Sequence, residues 1–148
     1  MQAYLYRTPD DLETVLKRPG KIRLVKGAYA APAHLARPRG QDLDMAYCQL
    51  METLLKKGHL CSIATHDLNL LNSAHHFIQE HSIQPGAVEF EMLQGVIPDR
   101  LQSLHERGYR TRIYLPYGKE WHLYLCNRLA EYPPNVYQAI ADAVGRLG

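Results

Sequence analysis

The sequence carries little net charge, few cysteines and no long apolar run. Its 148 residues include 17 Lys and Arg against 15 Asp and Glu, and this near balance of scattered charges argues against a nucleic-acid binder. The three cysteines are odd in number and widely spaced, which excludes the usual pattern of a disulfide framework or a zinc ribbon. No apolar run approaches the roughly 20 residues that span a bilayer, and no signal peptide opens the chain. We therefore expect a cytoplasmic protein, for which peripheral contact at the inner face of a bacterial membrane stays open.

The composition is that of one ordinary globular domain, which we expect to cover residues 1–148. Apolar residues make up 46% of the chain and charged residues 22%, without any biased tract. Apolar runs of strand type alternate with stretches of helical period, and this alternation predicts five βα units. The predicted strands cover residues 3–6, 22–25, 60–65, 88–93 and 111–115.

Capping residues mark several predicted helix ends. The clearest helix repeats apolar residues at three- and four-residue steps from Leu43 to Leu55 and ends at Gly58. Asp67 and Asp99 are expected to begin the next two helices. A further helix is predicted over residues 121–131, and a last amphipathic helix follows the Pro-Pro break over residues 136–144.

Two architectures accept five such units: a doubly wound sheet of flavodoxin type, and a section of an eight-fold βα barrel. A flavodoxin-type sheet needs a Gly-rich or Ser/Thr-rich phosphate loop after its first strand, and none follows residues 3–6. Met1 lies almost inside the first predicted strand, which leaves no room for earlier units. We therefore favour an α/β fold that is a partial (β/α)8 TIM barrel of about five units, strands four to eight, with a C-terminal helix.

Polar residues follow the predicted strands, and the carboxyl ends of parallel strands are where active sites lie. Arg23 and Lys26 belong to one such strand end, where each charge either faces a solvated barrel mouth or needs an anionic partner. A pair of surface charges is the simple alternative. His66 and Asp67 follow another strand, although this dipeptide alone also fits an ordinary helix start. The two adjacent histidines later on that helix point about 100° apart, so no metal site is expected.

Six segments agree in order and spacing with flavin-dependent proline dehydrogenases, and the chain resembles the C-terminal part of that family's barrel. They are Gln-Ala-Tyr-Leu-Tyr-Arg-Thr at 2–8, Arg-Leu-Val-Lys-Gly-Ala-Tyr at 23–29, Ala-Thr-His-Asp at 64–67, Glu-Phe-Glu-Met-Leu-Gln-Gly at 89–95, Ile-Tyr-Leu-Pro-Tyr-Gly at 113–118 and Arg-Leu-Ala-Glu at 128–131. The resemblance implies oxidation of L-proline to 1-pyrroline-5-carboxylate. Hydride would pass to FAD at the mouth of a distorted barrel, and electrons would leave to a membrane quinone.

The resemblance also implies roles for individual residues in catalysis and cofactor binding. Arg23 would lie beside the flavin ring, where a fixed positive charge stabilises the anionic reduced flavin, and Tyr29 and Tyr114 would complete the catalytic set. Gly27 would let the backbone approach the ligand closely, although a lone glycine after a strand often marks only a turn. The residues that the resemblance places around FAD are Gln2, Arg23, Lys26, Gly27, Ala28, Thr65 and His66.

L-Proline is a small zwitterion, and the family binds it with two adjacent arginines, a glutamate and tyrosines. The corresponding residues here are Tyr114, Tyr124, Asn127, Arg128 and Glu131. Tyr124, Arg128 and Glu131 share one helical face by spacing, which is also typical of an exposed ion-paired face. Asn127 replaces the first arginine and removes a charge-assisted hydrogen bond worth roughly 1.5 to 3 kcal/mol. Proline affinity would then fall, another cyclic imino acid could be preferred, or the change could mark a fragment no longer under selection.

The first three strands of the family's barrel have no counterpart in this sequence, and neither do its catalytic aspartate and the lysine that helps close the substrate site. A barrel opened in this way would expose strand edges that can pair with another chain. We expect weak or no dehydrogenase activity from this chain alone. Three functions stay open: an enzyme fragment completed by the missing N-terminal barrel part, a flavin- or imino-acid-binding half-barrel without turnover, and a structural remnant that self-associates.

Overall fold

A computed structural model describes residues 1–27 and 31–119 of the chain. Four α-helices and four strands alternate along these residues, beginning with a helix. In chain order they are α1 (Thr8–Val15), β1 (Lys21–Leu24), α2 (Gln41–Lys56), β2 (Leu60–Ala64), α3 (Leu68–Glu80), β3 (Val88–Leu93), α4 (Pro98–Glu106) and β4 (Arg110–Tyr114). The last four predicted strands are therefore confirmed within about one residue at each end.

The four strands form one parallel sheet in the order β1, β2, β3, β4. Each strand pairs with its neighbour in sequence: Ile22 lies opposite Cys61, Cys61 opposite Val88, and Phe90 opposite Thr111. A doubly wound sheet reverses its strand order at a switch point, and no reversal occurs among the described strands. Right-handed crossovers in sequential order place all the connecting helices on the same face. The observed order is thus that of a singly wound sheet, as in a section of a βα barrel.

The first predicted strand, residues 3–6, is wrong as an extended strand. Residues 1–3 do lie alongside the end of β1, because Val25 N donates to Met1 O at 3.0 Å and Ala3 N donates to Val25 O at 2.8 Å. The chain then turns at once: the hydroxyl of Thr8 donates to Gln2 O at 2.6 Å, and α1 begins at that residue. The parallel pairing is therefore a single bridge between Gln2 and Val25.

Helix α3 shows how the local sequence sets a boundary. The Asp67 side chain accepts hydrogen bonds from the amides of Asn69 and Leu70, which have no carbonyl partner inside the helix. The predicted cap at Asp67 is confirmed. Helix α4 starts earlier than predicted, at Pro98 rather than Asp99, and follows Ile97 at a φ of 44°. The predicted helices over 121–131 and 136–144 lie outside the described residues.

The sheet has one apolar face and one polar face. Strand β1 alternates along its length, with Ile22 and Leu24 buried and Lys21 and Arg23 exposed. The apolar side chains pack against helices α2 and α3 in one core, whose largest fully buried members include Tyr47, Phe90, Met51, Leu54, Ile63 and Leu71. Because successive side chains of a strand point to opposite faces, charged residues of β1, β3 and β4 collect on the side away from the helices.

Candidate active site

The polar face is built around two buried glutamates of β3. Glu89 and Glu91 are only 6% and 5% exposed, so their carboxylates need close partners. They alternate with Val88, Phe90 and Met92, which belong to the apolar core on the other side of the strand. The Val-Glu-Phe-Glu-Met pattern therefore divides β3 between a hydrocarbon face and an ionic one.

Glu91 binds side chains from two other strands. Its Oε1 accepts from Arg23 Nε of β1 at 2.6 Å, and its Oε2 accepts from the Ser62 hydroxyl of β2 at 3.2 Å. Strand β2 lies between β1 and β3 and carries Ser62 and Ala64 on this face, because the register sets Arg23 opposite Ser62 and Ala64 opposite Glu91. Small side chains on the middle strand thus leave room for two long ones to meet above it.

Glu89 forms ion pairs with two cations, one on β1 and one on β4. Its Oε1 lies 2.8 Å from Lys21 Nζ and 2.9 Å from Arg112 Nε. Burial alone would raise the pKa of Glu89, but the hydrogen bonds from Arg112 and Lys21 outweigh burial and lower it to about 2. On this face Lys21, Arg23 and Arg112 therefore share two carboxylates.

Arg23 and Tyr114 were both predicted to take part in catalysis, and the fold brings them together. The guanidinium carbon of Arg23 lies 5.2 Å from the centroid of the Tyr114 ring, in the range of a cation–π contact. The two residues belong to β1 and β4, the outer strands of the sheet, with β2 and β3 between them. Contact across two strands favours a concave polar face, as in the inner wall of a barrel.

Lys26 follows β1 and is engaged by two carboxylates. Its Nζ lies 2.5 Å from Asp44 Oδ1 of α2 and 2.7 Å from Asp67 Oδ2 at the start of α3. Burial acts to lower the pKa of Lys26, but these hydrogen bonds prevail and raise it. The same ammonium group helps to hold the pKa of Asp67 below its usual value, against the opposite effect of burial. The predicted cofactor ligand Lys26 thus joins β1 to the first turns of two helices.

Thr65 and His66 follow β2, at the same edge of the sheet. The Thr65 hydroxyl oxygen accepts from Asp67 N at 3.2 Å. His66 Nε2 accepts from the backbone amide of Leu93 at the end of β3, at 2.8 Å. Since Nε2 is an acceptor, the ring proton of neutral His66 sits on Nδ1. Each of these two predicted cofactor residues therefore has its side chain held by a hydrogen bond from a backbone amide.

Gly27 lies beside the predicted cofactor strand, at a φ of 125°. A Cβ at this position would stand 2.2 Å from Tyr4 Cδ1, so only glycine leaves space for the tyrosine ring. Tyr4 and Gly27 contribute to the wall of a cavity of about 430 Å³, together with Arg37. Arg37 itself stacks on the Tyr6 ring at 4.8 Å and donates to Leu5 O at 3.2 Å.

Other predicted site residues can be placed only in part. Gln2 lies next to Val25 of the β1 extension, and its carbonyl accepts from Thr8. Six predicted residues lie outside the described part of the chain: Ala28, Tyr29, Tyr124, Asn127, Arg128 and Glu131.

Sequence reasoning missed the other polar residues of this face, namely Glu89, Glu91, Ser62, Lys21 and Arg112. The signal was present in β3, where two glutamates alternate with apolar residues inside a run that was correctly assigned as a strand. Their partners could not be named, because Lys21 and Arg23 are each 68 positions from the glutamate they bind. Among the residues that the structure describes, no group of three His, Cys, Asp or Glu side chains could hold a metal ion. No helix in the same part of the chain is long and apolar enough to cross a membrane.

Comparison with known proteins gives a consistent set of similarities. The profile of the family described as proline dehydrogenase matches residues 1–136. The chain is 41% identical to the proline dehydrogenase of Deinococcus radiodurans over 135 residues, which cover 91% of this chain and 44% of that protein. It is 40% identical to proline dehydrogenase 2 of Bacillus subtilis strain 168 over 136 residues, or 92% of this chain and 45% of that one. The chain thus spans less than half the length of these curated relatives.

Solved structures of proline utilization A (PutA) resemble the fold. The structure of PutA from Bdellovibrio bacteriovorus inactivated by N-propargylglycine aligns with a TM-score of 0.78 and 25% identity, over 87% of this chain and 16% of that one. PutA from Corynebacterium freiburgense aligns with a TM-score of 0.71 and 22% identity, over 94% of this chain and 17% of that one. At the latter identity the likeness concerns the fold alone.

Proposed function

This chain belongs to the proline dehydrogenase family, and we propose that it forms the C-terminal part of a catalytic barrel that oxidises L-proline to 1-pyrroline-5-carboxylate with FAD. The observation that carries the proposal is the contact of Arg23 and Tyr114 on the polar face, where the guanidinium carbon lies 5.2 Å from the ring centroid although the residues belong to the two outer strands of the sheet. A cation and an aromatic ring at the carboxyl ends of parallel strands suit an anionic, planar ligand.

The barrel section in this proposal has five units, strands four to eight. Residues 1–3 would form the last part of strand four, since they pair in parallel with the residue that follows β1. The described strands β1 to β4 correspond to strands five to eight. The sequential order without reversal supports this assignment.

The chemistry of Arg23, Thr65 and His66 fits a flavin dinucleotide. When bound, FAD would supply the hydride acceptor. Arg23 offers a permanent positive charge beside the ring, and Thr65 can donate its hydroxyl proton because its oxygen already accepts from a backbone amide. His66 carries its proton on Nδ1 and so acts as a donor there. Lys26 is already compensated by two carboxylates, so a ligand would have to compete with them for its ammonium group.

Substrate binding in this proposal uses Tyr114 from the described sheet and Tyr124, Asn127, Arg128 and Glu131 from the C-terminal segment. Arg128 would bind the carboxylate, and Asn127 would offer only neutral hydrogen bonds where the family has a second arginine. We propose that this substitution weakens L-proline binding or shifts preference toward another cyclic imino acid. The test is Asn127→Arg: a lower KM for proline is expected, and an unchanged KM would contradict the carboxylate role.

The relatives are more than twice as long as the matched segment, so we propose that full turnover needs the barrel part that they carry before it. That part would come from a longer polypeptide or a second chain, or self-association would cover the open edges. Electrons would leave to a quinone, with the protein in the cytoplasm or peripheral at the inner face of a bacterial membrane.

The experiment compares this chain alone with the chain co-expressed with the N-terminal part of the Deinococcus relative. FAD retention is measured by absorbance, and turnover by proline-dependent dye reduction. Arg23→Ala should lower FAD retention and turnover, whereas Arg18→Ala, an exposed control, should change neither. FAD binding without turnover in both samples would favour a flavin-binding half-barrel. The absence of both FAD binding and proline binding in the two samples would refute the proposal.

A further inference from the structure

Glu91 holds Arg23 by one particular atom. The bond runs from Arg23 Nε to Glu91 Oε1 at 2.6 Å, a short charge-assisted contact. A guanidinium group has five N–H donors in a rigid plane, and Nε supplies one of them. Binding at Nε therefore uses one of the five donors and restrains the plane, and the guanidinium carbon lies 5.2 Å from the centroid of the Tyr114 ring.

Glu91 is itself immobilised. Its side chain is 5% exposed, and its second oxygen, Oε2, accepts from Ser62, a residue that is 1% exposed. Arg23, in contrast, has 47% of its side chain exposed. An exposed arginine on a strand would sample several rotamers, whereas a buried carboxylate with both oxygens bound offers it one fixed anchor. Glu91 is therefore the fixed partner of the pair, and it restricts the rotamers of Arg23.

We propose that Glu91 is a positioning residue for Arg23, which it orients toward the cofactor through Nε while Ser62 fixes the carboxylate. This inference rests on the proposed function, because it assigns a use to Arg23 at the flavin. Glu91 touches neither cofactor nor substrate in this account and acts only through Arg23. Replacing it should disturb ligand binding only when Arg23 is present.

Glu89 provides a matched comparison. It lies two residues away on the same strand and face, is equally buried, and binds Lys21 and Arg112 rather than Arg23. A general loss of ionic structure on this face should appear with either glutamate. A positioning effect should appear with Glu91 alone.

The test is a double-mutant cycle on the full 148-residue chain, with FAD affinity measured by quenching of flavin fluorescence. Glu91→Ala should weaken FAD binding about tenfold, as expected for the loss of one charge-assisted hydrogen bond, and should have no further effect in the Arg23→Ala background. Glu91→Gln, which keeps an acceptor oxygen for Nε, should recover most of the affinity. Glu89→Ala should have the same effect with and without Arg23.

A Glu91→Ala effect that is equal in both backgrounds would overturn the positioning role and leave a structural one. The Nε–H resonance of Arg23 gives a second readout without flavin, provided by nitrogen-15 spectra of the free protein. It should be resolved in the unmodified chain and in Glu91→Gln, and lost in Glu91→Ala. Its persistence in Glu91→Ala would overturn the proposal. Failure of the unmodified chain to bind FAD would instead count against the proposed function, and the Nε–H signal would still decide whether Glu91 orients Arg23.

Discussion

The ion pairs of Glu89 predict a pH-dependent part of the stability. Glu89 is 7% exposed at its side chain and lies within 2.9 Å of the two cations Lys21 and Arg112. The substitution Glu89→Gln removes the negative charge and keeps the shape. We expect it to destabilise the protein at neutral pH because the two cations would lose their shared carboxylate.

The size of the effect follows from the lowered pKa of Glu89. A fall from 4.5 to about 2 corresponds at most to about 3 kcal/mol of differential stability. The partners are 37% and 55% exposed, so solvent screening reduces the expected value to about 1 to 2 kcal/mol. A carboxylate with a depressed pKa stabilises the fold above the unfolded value, near pH 4.5, and this stabilisation is lost as the pH falls toward 2.

The assay is urea unfolding of the unmodified chain and Glu89→Gln at pH 7 and pH 3. The gap in unfolding free energy should be about 1 to 2 kcal/mol at pH 7 and should shrink by more than half at pH 3. Glu13→Gln, at a solvent-exposed position of α1, should show almost no gap at either pH. A Glu89→Gln gap that stays constant between the two pH values would refute the ion-pair argument.

Three further predictions concern the backbone. Gly27→Ala should lower the unfolding free energy by about 3 kcal/mol or more, because its Cβ would lie 2.2 Å from the Tyr4 ring. Gly20→Ala is also at positive φ but in open space, so it should lower the unfolding free energy less. Equal falls in melting temperature for the two variants would argue against the clash. Asp67→Ala should lower the unfolding free energy by about 1 to 2 kcal/mol, because it removes the acceptor of two first-turn amides. Asp67→Asn should retain most of that cap. Identical urea midpoints for the Asp67→Ala and Asp67→Asn variants would disprove the capping role. Ile97→Gly should destabilise less than Ile83→Gly, because both side chains pack against the core but only Ile97 is relieved of a strained φ of 44°; an equal fall in melting temperature would show that no strain is relieved.

Local signals were sufficient for much of the fold. The apolar run over 88–93 coincides with β3 in the structure, and the carboxylate of Asp67 caps α3 as its position before an apolar helical pattern predicted. Both depend on interactions within a few residues of the chain. Strand existence and helix starts could be predicted for the same reason.

The first segment and the ionic face could not be predicted in this way. Residues 3–6 alternate as a strand does, yet the Thr8 hydroxyl closes a turn on Gln2 and starts a helix. Glu91 was visible as a charge within an apolar strand, but its contact with Arg23 depends on Ser62 and the narrow middle strand between them. Such contacts require the register of three strands, which no local pattern contains. The resemblance to a family selected Arg23 and Tyr114 but gave no role to the residues that hold Arg23.

The ion pairs that cross β2 also bear on how the chain assembles. In an array of repeats, stability comes from each unit and its nearest neighbours. Lys21 with Glu89 and Arg23 with Glu91 instead link second neighbours, over 68 positions of the chain. A folding intermediate that contains only the units of β1 and β2 would hold two cations without their carboxylates. Docking of β3 is therefore favoured by charge as well as by apolar burial, and the two ion pairs connect the third strand of the sheet directly to the first.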